Sequence, residues 1–176
     1  MLPEIEERYA EYRPPFDVTK VVQELLAPVP EKYTRGLKKV LLVDSGSLGR
    51  RDRVGKVWSR KRKFAKQAVR GMYHPDRNAP WIEIRVDRTT EAWKGMPRWL
   101  FWLPLIRYIV IAEIFYHELG HHIHYTVRPE FREREDVAEV WRRKLSSNFI
   151  RAKYPHLFSV VLATKAIYAK LRQTNN

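Results

Sequence analysis

The sequence predicts an α+β domain in which a small three-stranded sheet precedes one long apolar helix and further C-terminal helices. Three observations carry this reading. Residues 81–87 alternate apolar and polar side chains with the period of a half-buried strand. Residues 104–126 form a long apolar run opened by Pro104. After Pro129 the apolar residues return with helical spacing at Val137, Val140, Trp141 and Leu145.

Taken in order, residues 1–16 are polar and end in Pro14 and Pro15, so a flexible N-terminal arm is expected there. The remainder, 17–176, reads as a single domain: the length suits one well-cored unit and is short for two. Asp17 can cap a helix whose apolar face is Val21, Val22, Leu25 and Leu26, stopped by Pro28 and Pro30. Residues 39–44 are a β-branched and leucine-rich run closed by Ser45, Gly46, Ser47, Leu48 and Gly49, a strand and its loop. A basic segment follows, with a helix expected over 59–67. Residues 68–73 read as a second strand, turned at 74–80 into the third strand, 81–87, which is expected at the sheet edge. Helices are expected over 104–126 and 131–151. A last one opens at Pro155, with Leu157, Val161, Thr164, Tyr168 and Leu171 on one stripe.

Composition narrows the chemistry. Apolar residues make up 44% of the chain and there are six Trp, which fits a folded core. With no cysteine, disulfides, thiol catalysis and Cys-based zinc fingers are excluded, leaving His and carboxylates as strong ligands for a transition metal. The first residues are acidic and hold no apolar signal-peptide core, so a cytoplasmic location is the expectation. Residues 99–116 are apolar except for Arg107 and Glu113. A buried helix explains them better than a membrane span, with lipid contact through Trp99, Leu100, Phe101 and Trp102 as the lesser alternative.

Net charge is +14, and residues 50–70 supply +9 of it through ten Lys or Arg against Asp52. Arg50, Arg51, Arg60, Lys61, Arg62 and Lys63 are the candidate contacts to nucleic acid or another anionic surface, with Trp58 and Phe64 interleaved as stacking groups. A solvated basic loop is the plainer account. A latch over a latent site is a third.

The sharpest motif is His117, Glu118, Leu119, Gly120, His121. Residues four apart on a helix lie about 40° apart around the axis and about 6 Å along it, so both imidazoles aim at one point. Glu118 is turned about 100° from His117 and can reach a water on a shared metal without ligating it. The plainer alternative is a chance pair of surface histidines. His122 points away from His121, and His124 lies about 10 Å along the axis from His117, so neither can complete the same site. His124 is left to surface packing or a substrate-side role. A third His ten residues after His117 is ruled out by Val127, and His156 is remote. The third ligand of a catalytic zinc site is therefore sought among Glu130, Glu133, Glu135, Asp136 and Glu139. Glu135 and Glu139 share a face one turn apart, with Ala138 leaving room for a helix crossing. One can ligate while the other holds a ligating His. Glu135 is preferred as ligand, Glu139 and Glu133 following; a solvated charged face is the plain alternative.

These residues resemble the gluzincin metallopeptidases, whose pattern is H-E-x-x-H on one helix and a Glu on the next, with an acid one turn beyond. The short gap and small size look most like minimal gluzincins and ImmA-type peptidase domains, which place a small sheet ahead of the zinc helix in a zincin-like fold. The likeness spans residues 38–145 and is specific over the two motifs. It implies one zinc ion bound by His117, His121 and Glu135, Glu118 as general base, and Glu139 orienting a ligand. Glu139 stands where the family more often has Asp or Asn, and no Tyr or His matches its transition-state stabiliser.

The expected function is zinc-dependent peptide hydrolysis on a peptide or protein substrate, which could add as a strand beside residues 81–87, where Glu83, Arg85 and Asp87 share a face. The alternative is a zinc-containing nucleic-acid-binding or protein-interaction module without hydrolytic activity. A protease acting on nucleic-acid-bound proteins, as in the SprT-like class, would combine the two, but that class lacks the Glu ligand.

Overall fold

The structure is a computed structural model describing residues 2–47, 56–59, 62–65, 69–76, 78–93, 95, 97–127 and 135–156. The described residues form an α+β fold built on a mixed four-stranded sheet and five α-helices.

The first helix, α1 (Val18–Leu26), starts where Asp17 accepts a hydrogen bond from the Lys20 amide at 2.8 Å. It buries Val18, Val21, Val22, Leu25 and Leu26 on one face. A short helix, α2 (Glu31–Thr34), leads into strand β2 (Lys39–Val43). Strands β5 (Gly71–His74) and β6 (Trp81–Arg85) follow, and α3 (Val86–Glu91) continues directly from β6. A 3₁₀ turn (Arg98–Trp102) precedes the long helix α4 (Pro104–Val127), and α5 (Glu135–Lys153) comes next. Pro104 sits at the first helical position, where its missing N–H costs nothing.

The sheet has one strand more than expected. Residues 4–8 are not a loose arm but strand β1 (Glu4–Arg8), parallel to β2 with Glu4 opposite Lys39 and Arg8 opposite Val43. The chain after β1 is tied down by Asp44, whose buried carboxylate accepts backbone N–H bonds from Ala10, Glu11, Tyr12 and Ser47 at 2.7–3.1 Å. A polar segment is thus held by backbone pairing and one carboxylate, with Ile5, Tyr9 and Tyr12 packed against the core.

Strand order is β1-β2-β6-β5, with β1, β2 and β6 parallel and β5 antiparallel. The third predicted strand is therefore internal, and the edge on the helix-bearing side is β5. Val40, Leu42, Ile82 and Ile84 join α1 and the α4 residues Ile111, Phe115, Tyr116, Leu119 and Ile123 in one core. The other face carries Leu41 and Val43 with Trp81. Glu83 and Arg85 are buried and paired with each other at 2.9 Å, while Asp87 lies beyond the strand in α3.

The expected helix over 59–67 is also corrected. Strands β3 (Lys56–Ser59) and β4 (Arg62–Ala65) pair antiparallel, with Val57 opposite Phe64. Lys, Arg, Gln and Ala favour helix locally, but the antiparallel backbone pairing of the two strands overrides that preference. The last predicted helix lies outside the described residues beyond His156.

Candidate metal centre

The site is assembled where α4 and α5 cross. A Cβ added to Gly120 would meet the Ala138 carbonyl oxygen at 2.8 Å, its Cα at 2.9 Å and the Trp141 Cβ at 3.1 Å. The absence of a side chain on Gly120 permits this approach to the buried Ala138, and it carries the first turn of α5 to the histidines of α4. Trp141 is held from behind by Tyr33, edge-on at 4.8 Å between ring centroids.

His117 and His121 present their Nε2 atoms to each other at 3.2 Å, with ring planes at 90°. Glu135 brings Oε2 to 3.2 Å from His117 Nε2 and 4.0 Å from His121 Nε2. All three ligand atoms lie within 4.8 Å of one another. Ligands at about 2.1 Å from a tetrahedral zinc are about 3.4 Å apart, so these separations fit three corners of one coordination sphere. Two imidazole nitrogens and one carboxylate oxygen suit zinc or a neighbouring divalent transition metal. His121 is buried while His117 and Glu135 are half-buried, so the cluster opens to one side.

Glu118, adjacent in sequence but turned toward the sheet, is buried against β5. A Cβ on Gly71 would meet Glu118 Cγ and Oε1 at 3.0 Å and Ile114 Cγ2 at 2.4 Å. The edge strand therefore runs past the carboxylate with no side chain between them. One turn before His117, Glu113 accepts from the Arg70 guanidinium at 3.5 Å. Arg70 and Gly71 lie outside both sequence motifs. A glycine inside a strand-like run is the signal that marks such a close approach.

Glu139 stands one turn beyond Glu135, with its carboxylate turned to two arginines of its own helix. Its carboxylate accepts from Arg142 at 2.6 and 2.7 Å and from Arg143 at 2.9 Å. Arg142 foremost, and Arg143 beside it, hold its pKa down to about 2 against the opposing effect of burial. Guanidinium groups three and four residues on lie on the same helix face and occupy the carboxylate.

His122 is a core residue. Its Nε2 donates to the Arg35 carbonyl at 3.2 Å, which leaves Nδ1 to accept from the Tyr73 hydroxyl at 3.2 Å. Burial pushes its pKa below the ordinary value, the Arg35 bond opposing. His124 is buried and belongs to no metal group among the described residues, and His156 is exposed and apart. Asp136 is exposed. Glu130 and Glu133 lie outside the described residues, as do Arg50, Arg51, Arg60 and Lys61, while Arg62 and Lys63 open β4.

No match to the chain was found among protein-family models, curated proteins or solved structures. Among the described residues no helix is long and apolar enough to cross a membrane.

Proposed function

We propose that the protein is a zinc-dependent peptidase with His117, His121 and Glu135 as metal ligands and Glu118 as general base. The observation that carries this reading is the convergence of three ligand atoms within 4.8 Å, with Glu118 buried and next to His117 in sequence. Zinc held there would polarise a scissile carbonyl and lower the pKa of a bound water. Glu118 would accept the proton of the attacking water and deliver it to the leaving amine. The edge of β5, next to Gly71 and with no further strand beside it among the described residues, supports binding of an extended peptide by strand addition, in place of the internal residues 81–85. Arg70, tied to Glu113 at the start of that edge, would lie beside such a peptide.

The test compares wild type with Glu118→Gln and Glu135→Ala. Expected are one zinc per wild-type chain, cleavage of an unstructured protein, loss of cleavage with zinc retained in Glu118→Gln, and loss of zinc in Glu135→Ala. Zinc-loaded, folded wild type that cleaves no unstructured protein would replace the peptidase with the non-hydrolytic zinc module.

A further inference from the structure

We propose that the 3₁₀ turn Arg98–Trp102, with Leu103, is an interfacial anchor that seats Trp99 and Trp102 in the headgroup layer of an anionic lipid bilayer. Trp99 is 59% exposed, Trp102 77% and Leu103 46%. In a 3₁₀ helix, side chains three apart eclipse one another, so the two indoles share one face of the turn. Phe101, between them, points the opposite way: it is buried and its ring lies 5.8 Å from that of Phe16. The turn is therefore rooted in the core while it presents two tryptophans outward.

Its backbone is prepared for a layer poor in water. Leu100 N–H donates to the Pro97 carbonyl and Leu103 N–H to the Leu100 carbonyl, each at 3.0 Å. The Phe101 and Trp102 carbonyls, which an ending helix would leave to solvent, are both taken by the Arg107 guanidinium. Carbonyls satisfied from within can enter an apolar boundary without the penalty of an unmet hydrogen bond.

Charge selects the partner. From residue 92 to residue 112 there is no Asp or Glu, while Lys94, Arg98 and Arg107 are cationic, in a chain of net charge +14. Cations that flank an aromatic tip in sequence, with no acid among them, complement an anionic lipid surface, and Trp is the side chain that favours the membrane–water boundary. The exposed apolar tip amounts to roughly 400 Å², against about 800 Å² per partner for a stable protein interface, so a second copy of the chain is poorly served by it. Only side chains would insert, since no helix among the described residues can span. The anchor stands or falls independently of the metal centre, which lies thirteen residues further along α4, roughly 20 Å along its axis.

The test uses the full chain and vesicles of phosphatidylcholine containing about one third phosphatidylserine, compared with phosphatidylcholine alone. Wild type is expected to sediment with the anionic vesicles, and lipids brominated in the upper acyl chain should quench its tryptophan emission. The Trp99→Ala/Trp102→Ala variant should lose about tenfold or more in vesicle affinity and most of the quenching. Trp99→Phe/Trp102→Phe should recover part of the affinity. Three results would overturn the proposal. One is wild type that does not bind anionic vesicles. Another is a folded double-alanine variant that binds as tightly as wild type, which would move the contact to the basic segment. The third is tryptophan-dependent dimerisation without vesicle binding, which would make the occupant a second copy.

Discussion

Gly71 lies against Glu118 so closely that a Cβ on the glycine would come within 3.0 Å of the Glu118 carboxylate and 2.4 Å of Ile114 Cγ2. Ile114 belongs to the packed core of α4, so it has little freedom to yield, and the edge strand would have to move. Gly71→Ala is expected to cost about 1–3 kcal/mol of stability and to reduce peptide cleavage at least tenfold with zinc still bound. Denaturant melts, zinc content and cleavage rates on the same samples check this. Unchanged cleavage would separate β5 from the reaction.

The Gly120–Ala138 contact makes a second prediction. Backbone atoms of Ala138 stand 2.8–2.9 Å from where the new Cβ would go, and backbone cannot step aside as a side-chain end can. Gly120→Ala should push α5 off α4, with a cost of about 1–3 kcal/mol. Because Glu135 rides on α5, zinc affinity should fall as well. Gly95→Ala, with nothing within 4 Å, is the control and should change neither quantity. A Gly120→Ala protein with wild-type zinc affinity would show that the crossing does not set the ligand geometry.

These contacts also mark what was legible in the sequence. Asp17 and its apolar stripe, Pro104 at a helix start and the two histidines four apart are local patterns, and each sits in the structure where its spacing puts it. Gly120 and Ala138 could be paired because both are small and both flank the motif residues. Strand β1 was invisible for the opposite reason: Glu4 to Arg8 holds one Ile among charges, and its pairing partner lies thirty-five residues on. The order of the sheet, which puts β6 inside and β5 at the edge, likewise depends on long-range partners. Glu139 sits one turn past Glu135 as the family pattern requires, yet its orientation is decided by Arg142 and Arg143.

Asp44 should be the main acid-sensitive tie of the N-terminal strand. Burial by itself would raise its pKa, but the N–H groups of Glu11, Tyr12, Ala10 and Ser47 outweigh that and hold the carboxyl far below its ordinary value. Its stabilisation is therefore fully present above the unfolded-chain pKa of about 3.9 and is lost as pH falls toward the folded-state pKa. Asp44→Asn keeps one acceptor but loses the charge, and should cost about 2–3 kcal/mol at pH 7. The gap between wild type and variant in urea melts should hold from pH 7 to about pH 5 and narrow below about pH 4. A gap that widens on acidification would contradict the assignment.

The strongest discrimination among the acids of α5 comes from paired substitutions at Glu135 and Glu139. Glu135 Oε2 is 3.2 Å from His117 Nε2, whereas the Glu139 carboxylate is occupied by two guanidinium groups at 2.6–2.9 Å. Removing a carboxylate that orients a ligating histidine typically weakens metal binding by about 10–100-fold, and loss of a direct ligand should cost more. Glu139→Gln is accordingly expected to leave zinc affinity within about threefold of wild type, since only partly exposed ion pairs worth about 0.3–0.5 kcal/mol each are lost. Glu135→Gln should weaken zinc at least about a hundredfold. Competition with a chelator at fixed pH reads both values. A tenfold or greater loss in Glu139→Gln, with melting unchanged, would mean that zinc draws Glu139 away from Arg142 and Arg143 to the ring of a ligand. The guanidinium pair would then be a resting contact that metal binding must break.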